Sequence, residues 1–195
     1  MAICYSAAEQ FELREILLKD KPESMLHCSP KGTVPVAVVG NMVIEESLEL
    51  MLWIIAKNDP ERWLNDLDKS LMLIDRSDSE FKYWLDRYKY QVGYPEYSQE
   101  HYRGKAIDFL VEIESLLSKH RFLLDQVPRL ADVAIFPFIR QFAFVDKAWF
   151  DQSEYKRTRQ WLDYWLADAS FEKIMTKRSV WRSNDTPVYF PGAAN

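Results

Sequence analysis

The sequence predicts a small α/β unit followed by an all-helical unit. Residues 11–44 carry strand-like patterns, whereas nearly all of the chain after residue 45 repeats its apolar residues at helical spacing. The change from one pattern to the other is the clearest domain signal in the chain. We therefore expect a first domain at residues 1–57 and an all-helical second domain at residues 58–195.

Two strands joined by a hairpin turn are predicted within the first unit, after an earlier separate strand. Residues 11–16 alternate apolar and charged side chains, as a half-buried strand does. Residues 34–39 predict a second strand, in which Pro35 is tolerable only near the start. Gly40 and Asn41 readily adopt positive φ, so they predict a tight turn into a third strand at residues 42–44.

The helical unit is predicted from apolar residues that recur every three or four positions. The first helix starts near Glu45, and the helix over residues 131–145 is almost wholly apolar, so it should be central. Pro137 should lie in the first turns of that helix or kink it. The tail at residues 182–195 should be extended. The other predicted helices cover residues 61–75, 80–91, 99–119, 154–167 and 170–178.

Composition argues against nucleic-acid and membrane partners. The net charge is −5, and the one basic cluster, Lys156, Arg157 and Arg159, is interpreted as the solvated face of a helix. The longest apolar run, at residues 50–56, is far shorter than the roughly 20 residues that span a bilayer. The first residues also lack the pattern of a signal peptide.

Cysteine and histidine usage implies neither a metal site nor a disulfide framework. Cys4 and Cys28 lack the paired spacing of zinc or redox motifs, and His27, His101 and His120 are scattered along the chain. We expect no bound metal and a reducing, cytoplasmic setting.

Three stretches of the sequence resemble the glutathione S-transferase family, in its omega-like and bacterial forms. They are SPKGTVPV at residues 29–36, VIEESL at residues 43–48 and LADVAIFP at residues 130–137. The resemblance implies a thioredoxin-like N-terminal domain, a helical C-terminal bundle, glutathione as co-substrate and a homodimer. It also implies that the first strand and the start of the first helix of the thioredoxin-like domain are missing from this chain.

The resemblance also assigns a glutathione-binding role to five residues. A cis Val34–Pro35 bond would turn the Val34 backbone outward, where an extended peptide can pair with it; a plain trans proline is the alternative. Ser47 would bind the γ-glutamyl carboxylate at a helix N-terminus, and Glu46 would hold the ligand's ammonium. An ordinary helix cap is the alternative for both. Lys21 would face the glycyl end of glutathione, or else be solvated.

Asp132 matches a position of the family that helps to cap the core helix. The residue three positions earlier is Arg129, which cannot accept a hydrogen bond. Asp132 can then supply only its own half of a capping box. We assign it a folding role.

The catalytic residue of the family has no counterpart here, so the catalytic residue is unknown. In these transferases a central first strand precedes the turn with the catalytic Cys, Ser or Tyr, whereas residues 1–6 resemble the end of the following helix. Neither Cys4 nor Cys28 matches the catalytic position. Loss of a central strand should leave residues 11–44 open or weakly stable, and we expect Met1 to be an internal methionine of a longer protein or the gene to be truncated.

Two functions remain open from the sequence. The first is a glutathione-dependent enzyme that acts on an unknown small electrophile or disulfide, by conjugation or by thiol exchange. The second is a non-catalytic interaction protein or an inactive truncated product, because the same fold also serves as a binding module.

Overall fold

The computed structural model describes residues 1–191, and these fall into two compact units. The first unit comprises Met1–Pro60 together with the chain from Glu172 onward, and the second comprises Glu61–Phe171. The predicted boundary between residues 57 and 58 lies near the first division point. The sequence did not indicate that the C-terminal tail packs with the first unit.

A short helix and a longer one pack together in the first unit. Helix α1 (Ala2–Ser6) contacts α3 (Ser47–Ile55), and α2 (Glu23–Cys28) lies between them in the chain. The buried Ser6 hydroxyl donates a 2.8 Å hydrogen bond to the carbonyl oxygen of Ile54. This bond satisfies a polar group that would otherwise be costly inside the unit.

The strands of the first unit form two separate two-stranded sheets. Strands β2 (Ala37–Val39) and β3 (Met42–Ile44) form the predicted hairpin, and Gly40 between them has φ 58°. Strand β1 (Phe11–Glu12) instead pairs antiparallel with β4 (Tyr189–Phe190) of the tail. The predicted antiparallel hairpin is therefore confirmed, and the pairing of the tail is an addition that the sequence did not reveal.

Strand β1 is shorter than the six residues predicted. The register places Phe11 opposite Phe190, and the amide of Leu13 still donates to the carbonyl oxygen of Val188 at 2.6 Å. Beyond this regular pairing, the amide of Trp181 donates to the carbonyl oxygen of Glu15 at 2.8 Å. Strand β2 begins at Ala37, two residues after Pro35.

The second unit is a bundle of helices around α7 (Leu130–Val145), as its apolar sequence predicted. Helix α7 contains Pro137 and packs against α4 (Leu67–Arg76), α5 (Lys82–Lys89), α8 (Lys147–Gln152) and α9 (Lys156–Leu166). Helix α6 (Gln99–Lys119) matches the predicted range, and α10 (Ala169–Met175) contains the point at which the chain passes from this unit back to the first.

Helix α4 begins later than predicted, and it is not separated from α5. Arg62 and Asp66 adopt positive φ of 59° and 54°, so the chain turns before the helix starts at Leu67. A π-helical segment, Ser77–Phe81, then joins α4 to α5 without a break. The buried core of this unit includes Leu85, Tyr88, Leu110, Ile113, Leu123, Ile135, Phe136, Ile139, Phe142, Phe150 and Trp165.

The predicted fold class, a small α/β unit followed by a helical unit, is confirmed. No helix within residues 1–191 is both long enough and apolar enough to cross a bilayer.

Candidate functional site

The loop at residues 29–36 is held to the segment that precedes α3 by two side-chain contacts. The buried Ser29 hydroxyl donates to the carboxylate of Glu45. Two residues later in the loop, the Lys31 ammonium forms an ion pair with Glu46, which raises the pKa of Lys31 through that hydrogen bond. Glu46, a predicted ligand of glutathione, is thus joined to this loop.

The turn of the same loop requires a glycine. Gly32 has φ +64°, a left-handed conformation that side chains rarely adopt. A Cβ atom added there would lie 3.2 Å from Cδ2 of Leu26 and 3.6 Å from Nζ of Lys21. Lys21, the second predicted residue of the site, therefore packs directly over this turn.

We expect Gly32→Ala to lower the free energy of unfolding by about 1–2 kcal/mol, because the new methyl group adds left-handed strain and a tight contact with Leu26. Gly40→Ala is the matched control, since Gly40 has φ +58° but no atom within 4 Å of an added Cβ. Urea titration of both variants measures the difference. Equal losses would show that the close approach at Gly32 has no energetic consequence.

The Val34–Pro35 peptide bond is cis, the geometry that the resemblance implies. Both residues line a cavity of about 490 Å³ in the first unit. Residues 13–16, which follow β1, and residues 34–36 and Val38, which lead into and belong to β2, form much of its wall. The Val34 side chain is 50% exposed, so a ligand in the cavity can reach this part of the chain.

The tail supplies another wall of this cavity. Trp181 lines it, and its amide donates to the carbonyl oxygen of Glu15 at 2.8 Å. The Arg14 guanidinium lies 4.5 Å from the centre of the Trp181 ring and bonds Glu12, which lowers the pKa of the Glu12 carboxyl. Sequence patterns offered no signal for Arg14 or Trp181, because their proximity depends on the fold of the tail.

Helix α3 begins at Ser47, in agreement with the position assigned to it from the sequence. Glu46 occupies the N-cap position, and its side chain forms no capping hydrogen bond. The first helical hydrogen bond runs from the amide of Leu50 to the carbonyl oxygen of Glu46, at 3.0 Å. The start of α3 therefore combines amide donors with an adjacent carboxylate, a combination suited to an amino-acid zwitterion.

The five predicted residues divide into two groups in the structure. Val34 and Pro35 line the cavity, whereas Lys21, Glu46 and Ser47 do not. The loop at residues 29–36 connects the two groups through Gly32 and Lys31. Lys31 was not predicted as a residue of the site, although it is the cation at the third position of the motif at residues 29–36.

The two cysteines occupy different surroundings. Cys28, at the end of α2, is exposed and lines the cavity, whereas Cys4 is half-buried in α1. Across residues 1–191 no group of three or more His, Cys, Asp or Glu side chains lies close enough to hold a metal ion.

Asp132 belongs to the interior of the helical unit. One carboxylate oxygen accepts the Arg129 amide at 2.9 Å, which is the half of the capping box that the sequence allows. The Arg129 guanidinium has only donors, and it bonds Asp125 and, at 2.9 Å, the carbonyl oxygen of Arg62.

Similarity to solved structures supports the fold. The glutathione transferase URE2P6 from Phanerochaete chrysosporium, solved with oxidized glutathione, is 23% identical (TM-score 0.66; 78% of this chain and 76% of that chain covered). A glutathione S-transferase-I bound to lactoylglutathione is 19% identical (TM-score 0.71; 89% of each chain). The glutathione S-transferase from Xylella fastidiosa is 18% identical (TM-score 0.72; 88% and 87%).

Sequence comparison with protein families gives two matches in the order of the two units. Comparison with curated proteins, in contrast, gave no significant match. The glutathione S-transferase N-terminal domain matches residues 2–62, and the glutathione S-transferase C-terminal domain matches residues 83–163. Because the N-terminal and C-terminal domain models of one family together match most of the sequence, the chain belongs to the glutathione S-transferase family.

Proposed function

We propose that this chain binds glutathione through the loop at residues 29–36 and the start of α3. The observation that carries the proposal is the uncapped N-terminus of α3 with Glu46 beside it, in a chain of the glutathione S-transferase family. The amides at the helix start would bind the γ-glutamyl carboxylate, and Glu46 would bind the neighbouring ammonium group.

The ion pair between Lys31 and Glu46 is compatible with this role. Both side chains are about half exposed, at 52% and 55%. Exposed ion pairs contribute little, since water screens the charges. The ammonium group of a ligand can therefore replace Lys31 at low cost, while Ser29 still holds the loop through Glu45.

The remainder of glutathione would extend along the loop. The backbone of Val34 would pair with the cysteinyl part of the peptide, and Lys21 would meet the glycyl carboxylate. Lys21 is suited to this, because its ammonium already lies close to the turn at Gly32.

Calorimetric titration with reduced glutathione tests the proposal. We expect saturable binding, and about tenfold weaker binding for Glu46→Gln, which removes one charge-assisted contact. Glu49→Gln is the matched control, since Glu49 lies in the first turn of the same helix and is also exposed. Glu49→Gln should bind like the parent chain.

Absence of binding at millimolar glutathione would contradict the proposal and favour the alternative, a non-catalytic interaction protein. Equal weakening by the two glutamate substitutions would place the ligand elsewhere. If binding is found, incubation with an electrophile or with a mixed disulfide of glutathione distinguishes conjugation from thiol exchange as the reaction supported.

Family membership also leads us to infer a homodimer in the cytoplasm. Sedimentation equilibrium checks the first part, with an expected mass of twice the 23.1 kDa of one chain. A single-chain mass at micromolar concentration would contradict it.

A further inference from the structure

The helical unit contains a second cavity, of about 360 Å³, whose rim is basic. It lies between the C-terminal end of α6, the loop that follows and α9. Its lining includes one histidine and two arginines: His120, Arg121 and Arg157. We refer to this cavity as the basic pocket.

The two guanidinium groups of the basic pocket are available to a ligand. Within residues 1–191 neither Arg121 nor Arg157 forms an ion pair, and both are exposed. Arg159, on the same helix, is different, because its guanidinium bonds the carbonyl oxygens of Phe150 and Ser153 at 2.8 and 2.9 Å. The basic sequence cluster around residue 157 is thus not uniform: Arg159 is structural, and Arg157 faces the pocket.

Two carboxylates near the basic pocket form hydrogen bonds with groups other than the Arg121 and Arg157 guanidinium groups. Glu114 accepts hydrogen bonds from the amides of Arg157 and Thr158 at 3.0 and 2.8 Å, and from the Thr158 hydroxyl at 2.8 Å. Asp125 bonds the guanidinium of Arg129. Since its donors are neutral, Glu114 keeps its charge and offsets part of the positive charge of the rim, but both guanidinium groups remain exposed to an anion.

Aromatic rings form part of the wall of the basic pocket. Leu117, Phe122 and Trp161 line it and are buried, and Tyr164 is 40% exposed. The polar side chain of Gln160 also lines it. The Arg121 guanidinium lies 5.5 Å from the centre of the Tyr164 ring, so an anionic head bound by the arginines would place an aromatic body against that ring.

From these observations we infer that the basic pocket binds a phosphate monoester that carries an aromatic group. Guanidinium groups bind phosphate oxygens in pairs, and a phosphate monoester carries about −1.5 to −2 charges near pH 7. Two unpaired arginines suit that charge better than they suit a singly charged carboxylate. The basic pocket belongs to the helical unit and shares no residue with the proposed glutathione site, and its ligand does not depend on glutathione binding.

Calorimetric titration of the full chain with phenyl phosphate tests the inference. We expect saturable binding, about tenfold weaker for Arg121→Gln and for Arg157→Gln, and weaker again for the double variant. Lys156→Gln is the matched control, since Lys156 is exposed, adjacent on α9 and outside the pocket lining. Its affinity should match that of the parent chain.

Four results would overturn the inference. They are no saturable binding at millimolar phenyl phosphate, full retention of affinity in the double variant, an equal loss in Lys156→Gln, and binding of benzoate as tight as that of phenyl phosphate. Inorganic phosphate should bind more weakly than phenyl phosphate, because it lacks the body that contacts Tyr164. Glutathione affinity of the arginine variants should stay unchanged, which separates this test from that of the proposed function.

Discussion

Asp132→Ala is expected to lower the free energy of unfolding by at least about 3 kcal/mol, because it leaves three buried donors without an acceptor. The Asp132 side chain lies in the core with 0% exposure. Its carboxylate accepts the amides of Leu123 and Arg129, each at 2.9 Å, and the indole N–H of Trp161 at 2.8 Å. Since a domain is stable by only about 5–15 kcal/mol, the loss is a large part of the total.

Urea unfolding followed by circular dichroism measures the effect. Asp163→Ala is the matched control, because Asp163 lies on α9 with an exposed side chain. We expect that control to stay within about 0.5 kcal/mol of the parent chain. A loss below about 1 kcal/mol for Asp132→Ala would show that water or rearranged side chains satisfy the three donors.

The same carboxyl group should make stability depend on pH. Burial raises the pKa of Asp132 to about 6, from 3.8 for an exposed aspartate. Between these values the folded chain binds more protons than the unfolded chain, so this group stabilises the fold as pH falls from 7 towards 4, by up to about 3 kcal/mol. The pKa of Asp125 is lowered by the amide of Gln126 and by Arg129. This carboxyl group therefore has the opposite effect, because its contribution to stability is lost as pH falls through its pKa.

Unfolding measured between pH 7 and pH 5 checks the sign. The parent chain should gain more stability over this range than Asp132→Asn, which has no proton to bind at this position. A steeper gain in the Asn variant would contradict the assignment.

The sequence was sufficient where local patterns determine the structure. Long helices such as α6 and α7 follow from apolar spacing over four or more turns, and the β2–β3 hairpin follows from Gly40. Helix α8 was missed because its six residues give too little periodicity, although Asp146 caps it by accepting the Trp149 amide at 3.0 Å. The π-helical join at Ser77–Phe81 keeps the helix continuous where the sequence predicted a break.

In the candidate site, too, the sequence predicted the local features but not the contacts that depend on the tertiary fold. The motif at residues 29–36 predicted the cis bond before Pro35, and the helix start at Ser47 predicted an anion site there. The contact between Lys31 and Glu46 depends on how the loop folds back on α3, which no local pattern encodes. The pairing of the tail with residues 11–15 joins opposite ends of the chain and could not be predicted from periodicity.

The pairing of the C-terminal tail with β1 leads to a second prediction of a large effect on stability: Phe190→Ala should release the tail from β1. Phe190 is 7% exposed, faces Phe11 in the register and lies 5.4 Å from the guanidinium of Arg178. Loss of a buried phenyl ring costs about 3–5 kcal/mol in a well-packed core, and we expect about 2 kcal/mol or more at this peripheral strand.

Amide hydrogen exchange locates this effect within the first unit. The amide of Leu13 bonds Val188 at 2.6 Å and that of Trp181 bonds Glu15 at 2.8 Å, so both should exchange roughly 30-fold faster in Phe190→Ala. Amides in the interior of α6 should keep their rates. The matched control is Tyr189→Ala, because Tyr189 is the adjacent residue of β4 and is 57% exposed.

The comparison between these two variants separates backbone pairing from side-chain packing. Both keep the same backbone hydrogen bonds between the tail and residues 11–15, and only Phe190 buries its ring. If both variants exchange alike, the ladder alone holds the tail. If only Phe190→Ala opens it, packing of that ring keeps Trp181 against the cavity, since Trp181 lies on the same tail segment and lines the wall beside Val34.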